Sequence, residues 1–168
     1  MKNSSKSNVE KLVRKADQLM ELNGYSEAKV ILENVLEKEP ENVEAHYLLG
    51  EVLSKQNDFS SAINHLNKAL SLCPGHPRIL HLLGWATFMN GNPDLGREFL
   101  LLSLTKLPEV QTYCDLAVLE NKQGNFEKAM EYANKAKVIE PENKMVREVI
   151  GVITYFRKLR QQLSSEIN

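Results

Sequence analysis

Cysteine is scarce in this chain, which has only Cys73 and Cys114. Two such residues cannot build the disulfide framework that staples a small secreted domain, nor do they show the paired spacing of a zinc site. Both are expected to be reduced thiols. Long apolar runs are missing too. No stretch approaches the roughly 18 residues a membrane helix needs, and the opening Met1-Lys2-Asn3-Ser4-Ser5-Lys6-Ser7-Asn8 lacks the apolar segment of a secretory leader. The expectation is a cytoplasmic protein without membrane insertion. Nor is there an excess of one charge: 21 Lys and Arg stand against 22 Asp and Glu, a net charge of −1. That balance gives no global field to draw in nucleic acid. Sequence-local catalytic signatures are lacking as well, with no Walker loop, no Gly-x-Ser-x-Gly and no His-Glu-x-x-His. The nearest approach to a ligand cluster, Cys73-Pro74-Gly75-His76, reads as a turn, because zinc sites normally take four ligands. The chain is therefore expected to be no enzyme and to need no cofactor or metal.

What the sequence does contain is periodic. Pro40, Pro74, Pro108 and Pro141 follow one another at 34, 34 and 33 residues. The small residues Ala28, Ala62, Gly96 and Ala129 keep the same steps, as do Ala16, Gly50, Gly84 and Ala117. Three series in one register define a repeat. Within each unit apolar residues recur at helical spacing. The middle is interrupted by turn-forming residues at Asn23-Gly24, Asn57-Asp58, Gly91-Asn92-Pro93 and Gly124-Asn125. Each unit thus predicts two antiparallel helices. The second ends at a proline, which cannot continue the helical hydrogen-bond ladder. After Asn143 a further first helix starts, with Ile150-Gly151 in register, and no second helix follows. Val146, Val149, Ile150 and Ile153 are expected to cover the open end of the preceding unit, with Arg157, Lys158, Arg160, Gln161 and Gln162 facing water.

The order of residue types within a unit resembles the tetratricopeptide-repeat (TPR) family. The second unit carries it most fully, in His46, Leu49, Gly50, Leu53, Ala62, Leu66, Ala69 and Pro74; the first is looser, with Lys15 where Leu is usual. The resemblance implies an all-α fold, a right-handed α-solenoid of antiparallel helix pairs. The frame reads 1–8 as a disordered N-terminus, then units at 9–42, 43–76, 77–109 and 110–143, a capping helix at 144–163 and a tail at 164–168. It also implies a concave surface, lined by first helices, that receives a protein or peptide segment. In the heat-shock co-chaperones of this family that surface clamps a C-terminal carboxylate with Lys, Asn and Arg. The matching places here hold Val13, Asp17, Leu48, Arg78 and Leu82 in one frame, and Tyr47, Glu51, Leu82, Gln111 and Asp115 in the other. Only Arg78 fits, so clamp binding is disfavoured.

The third unit departs from its siblings. Asp17, Met20 and Glu21 in unit one, and Glu51, Ser54 and Lys55 in unit two, are replaced by Trp85, Phe88 and Met89, before unit four returns to Val118, Asn121 and Lys122. Aromatic and Met anchors are typical of binding hot spots. The expected partner groove is lined by Tyr47, Leu48, His81, Leu82, Trp85, Phe88, Met89, Cys114 and Val118. On the second helix of the same unit, Leu95, Phe99 and Leu102 form an i, i+4, i+7 stripe. That stripe reads either as local core around Gly96 or as a second contact surface for self-association. Two functions stay open: an adaptor or scaffold binding an apolar or amphipathic segment, or a homo-oligomeric assembly subunit. Secretion-type chaperoning of apolar client segments is a variant of the first, by analogy of size and fold.

Overall fold

The computed structural model describes residues 2–166, with side chains from 7 to 165. Among the described residues the structure is helical throughout: α1 (Lys2–Glu21), α2 (Tyr25–Lys38), α3 (Val43–Lys55), α4 (Phe59–Leu72), α5 (Pro77–Met89), α6 (Pro93–Lys106), α7 (Val110–Lys122), α8 (Phe126–Ile139) and α9 (Lys144–Glu166).

The helix ends show why the sequence breaks where it does. Asn23 (φ 60°), Asn57 (φ 61°), Gly91 (φ 93°) and Gly124 (φ 77°) occupy one place in successive units, and all four adopt the left-handed conformation. Asn and Gly tolerate it where other residues strain. The amide of the next residue then donates back to the helix, Gly24 to the Leu19 carbonyl (2.7 Å), Asp58 to Leu53 (2.9 Å), Asn92 to Thr87 (3.1 Å) and Asn125 to Glu120 (2.9 Å). This bond closes each first helix. Several starts are capped by side chains: Asn42 Oδ1 accepts from the Ala45 amide at 2.9 Å, Asp58 Oδ1 from Ser61 at 3.2 Å and Asn92 Oδ1 from Leu95 at 3.2 Å.

Two ends differ from expectation. Residues 2–8 continue α1 rather than forming a disordered segment. Val9 is buried and anchors the helix, and once a helix is nucleated each added residue costs little, so polar residues can extend it. At the other end α9 runs through Glu166, where a cap stopping at 163 and a tail were expected. Met1, Ile167 and Asn168 lie outside the described residues.

The chain divides into two compact units, Met1–Phe99 and Leu100–Asn168, and the division falls inside α6. In the first, α1 packs on α2, α2 on α3, α3 on α4 and α4 on α5. Ala16, Ala28, Ala62 and Ala69 are fully buried and let the helices approach closely. The approach is closest at the glycines. A Cβ added to Gly50 would stand 2.6 Å from Leu66, and one added to Gly96 would stand 2.8 Å from the Gly84 carbonyl and 2.9 Å from Phe88. The α5–α6 crossing is thus a glycine-to-glycine contact.

In the second unit α7 packs on α8, and α9 packs on both. Val146, Val149 and Ile153 are buried against Cys114, Ala117, Ala129 and Ala133, with Ile150 partly covered beside them. These residues pack one side of α9 against the α7–α8 pair. The far end of α9 is more than solvated, however. Arg160 Nη1 donates to the Gly124 carbonyl at 3.1 Å and its guanidinium lies over the Phe126 ring at 5.7 Å, while Arg157 pairs with Glu127 at 3.7 Å. No helix among the described residues is long and apolar enough to cross a membrane.

Candidate partner-binding surface

The apolar residues of α5 separate into support and surface. Phe88 is 4% exposed and fills the notch that Gly96 leaves, while its ring meets Trp85 edge-on at 5.5 Å and 66°. Trp85 itself stays partly exposed, as do His81, Leu82 and Met89. An aromatic held by a buried neighbour is a rigid anchor that loses little entropy when covered. Sequence register placed Phe88 on the contact surface; the structure makes it the ring behind that surface.

Other expected groove residues are also buried. Leu48 belongs to the first unit's core. Tyr47 is buried beneath the Arg78 guanidinium, 5.0 Å from its ring. Burial pushes the Tyr47 hydroxyl up to about 12, with Glu51 adding to the effect and Arg78 opposing it. It therefore stays a neutral phenol. Cys114, 1% exposed in the second unit's core, has its thiol raised to about 11 by burial first and Asp115 second. A thiol so protonated is a poor nucleophile and a poor metal ligand. Among the described residues no group of three or more His, Cys, Asp or Glu is arranged to hold a metal ion. Val118 stays partly exposed on α7.

On α6 the expected stripe is mixed. Leu95 and Leu102 are exposed, at 39% and 45%, whereas Phe99 packs against the first unit's core. The stripe is therefore exposed at both leucines and half-buried at Phe99 between them.

An apolar face that sequence reasoning missed lies on α9. Val152, Tyr155, Phe156, Leu159 and Leu163 are all exposed, Tyr155 at 63%, and their spacing puts them on one side of the helix. The Tyr155 and Phe156 rings meet edge-on at 5.4 Å. A cavity of about 140 Å³ opens beside them between α7 and α9, lined by Val118, Asn121, Met145, Glu148, Val149, Val152 and Ile153. Asn121 Oδ1 is buried there without a hydrogen-bond partner. The signal was present in the register: Val152, Tyr155 and Phe156 stand 34 residues beyond Val118, Asn121 and Lys122. They repeat in α9 the apolar triplet that sets α5 apart.

Comparison with known proteins agrees with this architecture. The tetratricopeptide-repeat family models match residues 19–71 and 110–143, together just over half of the chain. Among curated proteins, the O-mannosyl-transferase TMTC1 of Mus musculus is 25% identical over 145 residues, and FlbA of Caulobacter vibrioides is 25% identical over 144. These alignments cover 82% and 85% of this chain but only 15% and 24% of the relatives, so no activity of theirs is carried over. Among solved structures, MamA superposes with a TM-score of 0.73 at 22% identity, covering 94% of this chain and 86% of MamA. PilF of Pseudomonas aeruginosa gives 0.79 at 20%, covering 94% and 72%. YrrB, described as a TPR protein with an unusual peptide-binding site, gives 0.67 at 16%, covering 88% and 76%. Such likeness speaks for the all-α helical-solenoid fold. With its repeat register, its helix pairs and these matches, the chain belongs to the tetratricopeptide-repeat family.

Proposed function

We propose that this chain is a non-enzymatic interaction module that binds an apolar or amphipathic segment of another protein through apolar faces of its first helices. The observation that carries the reading is the recurring triplet. Equivalent places hold Asp17, Met20 and Glu21 in α1, Glu51, Ser54 and Lys55 in α3 and Val118, Asn121 and Lys122 in α7, but Trp85, Phe88 and Met89 in α5 and Val152, Tyr155 and Phe156 in α9. A chain with no partner for these faces gains nothing by leaving aromatic rings in water, and such patches mark contact sites. Each unit offers its own contact set: Leu82, Trp85 and Met89 in the first, and, separately, Val118, Val152, Tyr155 and Phe156 in the second. Tyr47, Leu48, Phe88 and Cys114 support these sets from beneath. The cavity beside Val152 suits one apolar side chain, and the peptide-binding description of YrrB is in keeping with such use. The repeat frame of 9–42, 43–76, 77–109 and 110–143 is the one we adopt. A cytoplasmic location fits the two unpaired cysteines.

The test is affinity capture from native lysate with the full chain, alongside Trp85→Ala and Tyr155→Ser/Phe156→Ser. Partners held by the wild type and lost from either variant support the proposal. Identical capture by all three chains removes it. A second reading, self-assembly through α6, is favoured by the exposure of Leu95, Leu101 and Leu102. Light scattering after size exclusion decides it, since Leu95→Lys/Leu102→Lys must then shift a multimer to monomer.

A further inference from the structure

His46 of α3 is buried where this family places a large residue, and both of its ring nitrogens are engaged. Nε2 lies 3.0 Å from the carbonyl of Pro40, in the turn between α2 and α3. Nδ1 lies 3.0 Å from Nδ1 of His65, on α4, with the two rings 5.3 Å apart and tilted by 34°.

A carbonyl can only accept, so His46 must carry its proton on Nε2 and donate it to Pro40. Neutral His46 then offers a lone pair at Nδ1, and His65 must donate Nδ1–H to it. The result is one directed chain running from α4 through α3 to the α2–α3 turn. The turn is otherwise closed by Asn42 Nδ2, which donates to Glu39 at 2.9 Å.

We infer that His46 and His65 form a proton-counting latch, a hydrogen-bond chain that ties α4 and α3 to the α2–α3 turn with no proton or one and that a second proton breaks. A single added proton is compatible with the chain: it can sit on Nε2 of His65, or on Nδ1 of His46 with His65 as acceptor. A second proton puts N–H groups on both Nδ1 atoms, facing each other across 3.0 Å. One ring must then turn away; His65, which is only half-buried, can turn to water, and it leaves buried His46 as an imidazolium with Nε2–H on Pro40 and its Nδ1–H unpartnered.

The charges that act on His65 from α2 are Glu33 and Lys29, of opposite sign, and Arg78 of α5 lies over Tyr47. Burial, and then His46, hold the His65 imidazole below its ordinary 6.5. The unfolded chain therefore takes up protons more readily than the folded one. The stability that His65 contributes is complete above that ordinary value and declines as pH falls below it.

Two measurements test the latch in the full chain. Long-range 1H–15N spectra of the imidazoles at about pH 7.5 should show His46 as the Nε2–H tautomer and His65 as the less common Nδ1–H tautomer, with His76 and His81 as internal references. His65 found as Nε2–H overturns the assignment, and this reading needs no variant to fold. Thermal melts should then show the wild type losing roughly 5 °C more than His65→Gln between about pH 7.5 and about pH 5. Glutamine keeps an amide donor for His46 and does not titrate. Equal losses in the two chains reject the latch.

Discussion

Adding one methyl group at three glycines should change stability with opposite signs. Gly96→Ala puts a Cβ 2.8 Å from the Gly84 carbonyl oxygen and 2.9 Å from the Phe88 amide nitrogen. Those atoms are backbone, so α5 and α6 must move apart rather than a side chain turning aside. Overpacking of that kind costs about 1–3 kcal/mol, and the upper part of the range applies where backbone must shift. Alanine recovers about 0.5–1 kcal/mol because it restricts the unfolded chain and suits a helix. The net is a loss of about 1–2 kcal/mol, or a melting temperature lower by roughly 3–6 °C for a chain of this size. Gly50→Ala should fall likewise, although its neighbour at 2.6 Å is the Leu66 side chain, which can yield in part. Gly151 stands one repeat step beyond the Gly50, Gly84 and Ala117 series and has nothing within 4 Å of an added Cβ. There only the alanine gain remains, and the melting temperature should rise by roughly 1–3 °C. Circular dichroism melts of the three variants check this in one experiment. A Gly96→Ala chain as stable as the wild type, or a Gly151→Ala chain less stable, would refute the reasoning about helix approach.

Three further outcomes follow from burial. Ile153→Ala removes a fully buried side chain from the second unit's core and should cost about 2–5 kcal/mol in denaturant unfolding. Its exposed neighbour Val152→Ala should cost less than about 1 kcal/mol, and equal effects would mean that α9 does not pack as described. In the native chain at mildly alkaline pH, iodoacetamide should modify partly exposed Cys73 well before buried Cys114, and denaturant should abolish the difference in a mass-spectrometric time course. Trp85 fluorescence should be quenched by acrylamide in the free chain. A fully blue-shifted, quencher-insensitive spectrum would place the ring in the core and withdraw α5 from the contact set.

Where the chain turns was legible in the residues because it is decided locally. A left-handed residue, a side-chain cap and a proline each act within a few positions, so Asn57, Asp58 and Pro74 announce their roles without any knowledge of the fold. The core small residues were legible for a related reason: a repeat compares each site with its siblings, and Ala28, Ala62 and Ala129 are small because a neighbouring helix lies against each of them. The N-terminal extension was not legible, since the polarity of residues 2–8 reads as disorder unless one knows that Val9 is held in place.

Depth below the surface is a different kind of information. Register tells which way a residue faces, and it assigned Tyr47, Leu48, Phe88 and Cys114 to an inner face. How far each is covered depends on what the next element brings: the Arg78 guanidinium over Tyr47, and the missing side chain of Gly96 that lets Phe88 sink. The same comparison extended by one step would have reached Val152, Tyr155 and Phe156. It stopped at Asn143 because α9 lacks a second helix and because Arg157, Lys158 and Arg160 make its end look solvated. Two of those cations instead grip the start of α8 and the turn before it, through Glu127 and Phe126 and through the Gly124 carbonyl, and so fix the far end of the helix whose other side carries the exposed rings. The helix that closes the array also presents an apolar surface, because burying Val146, Val149 and Ile153 uses only one side of it.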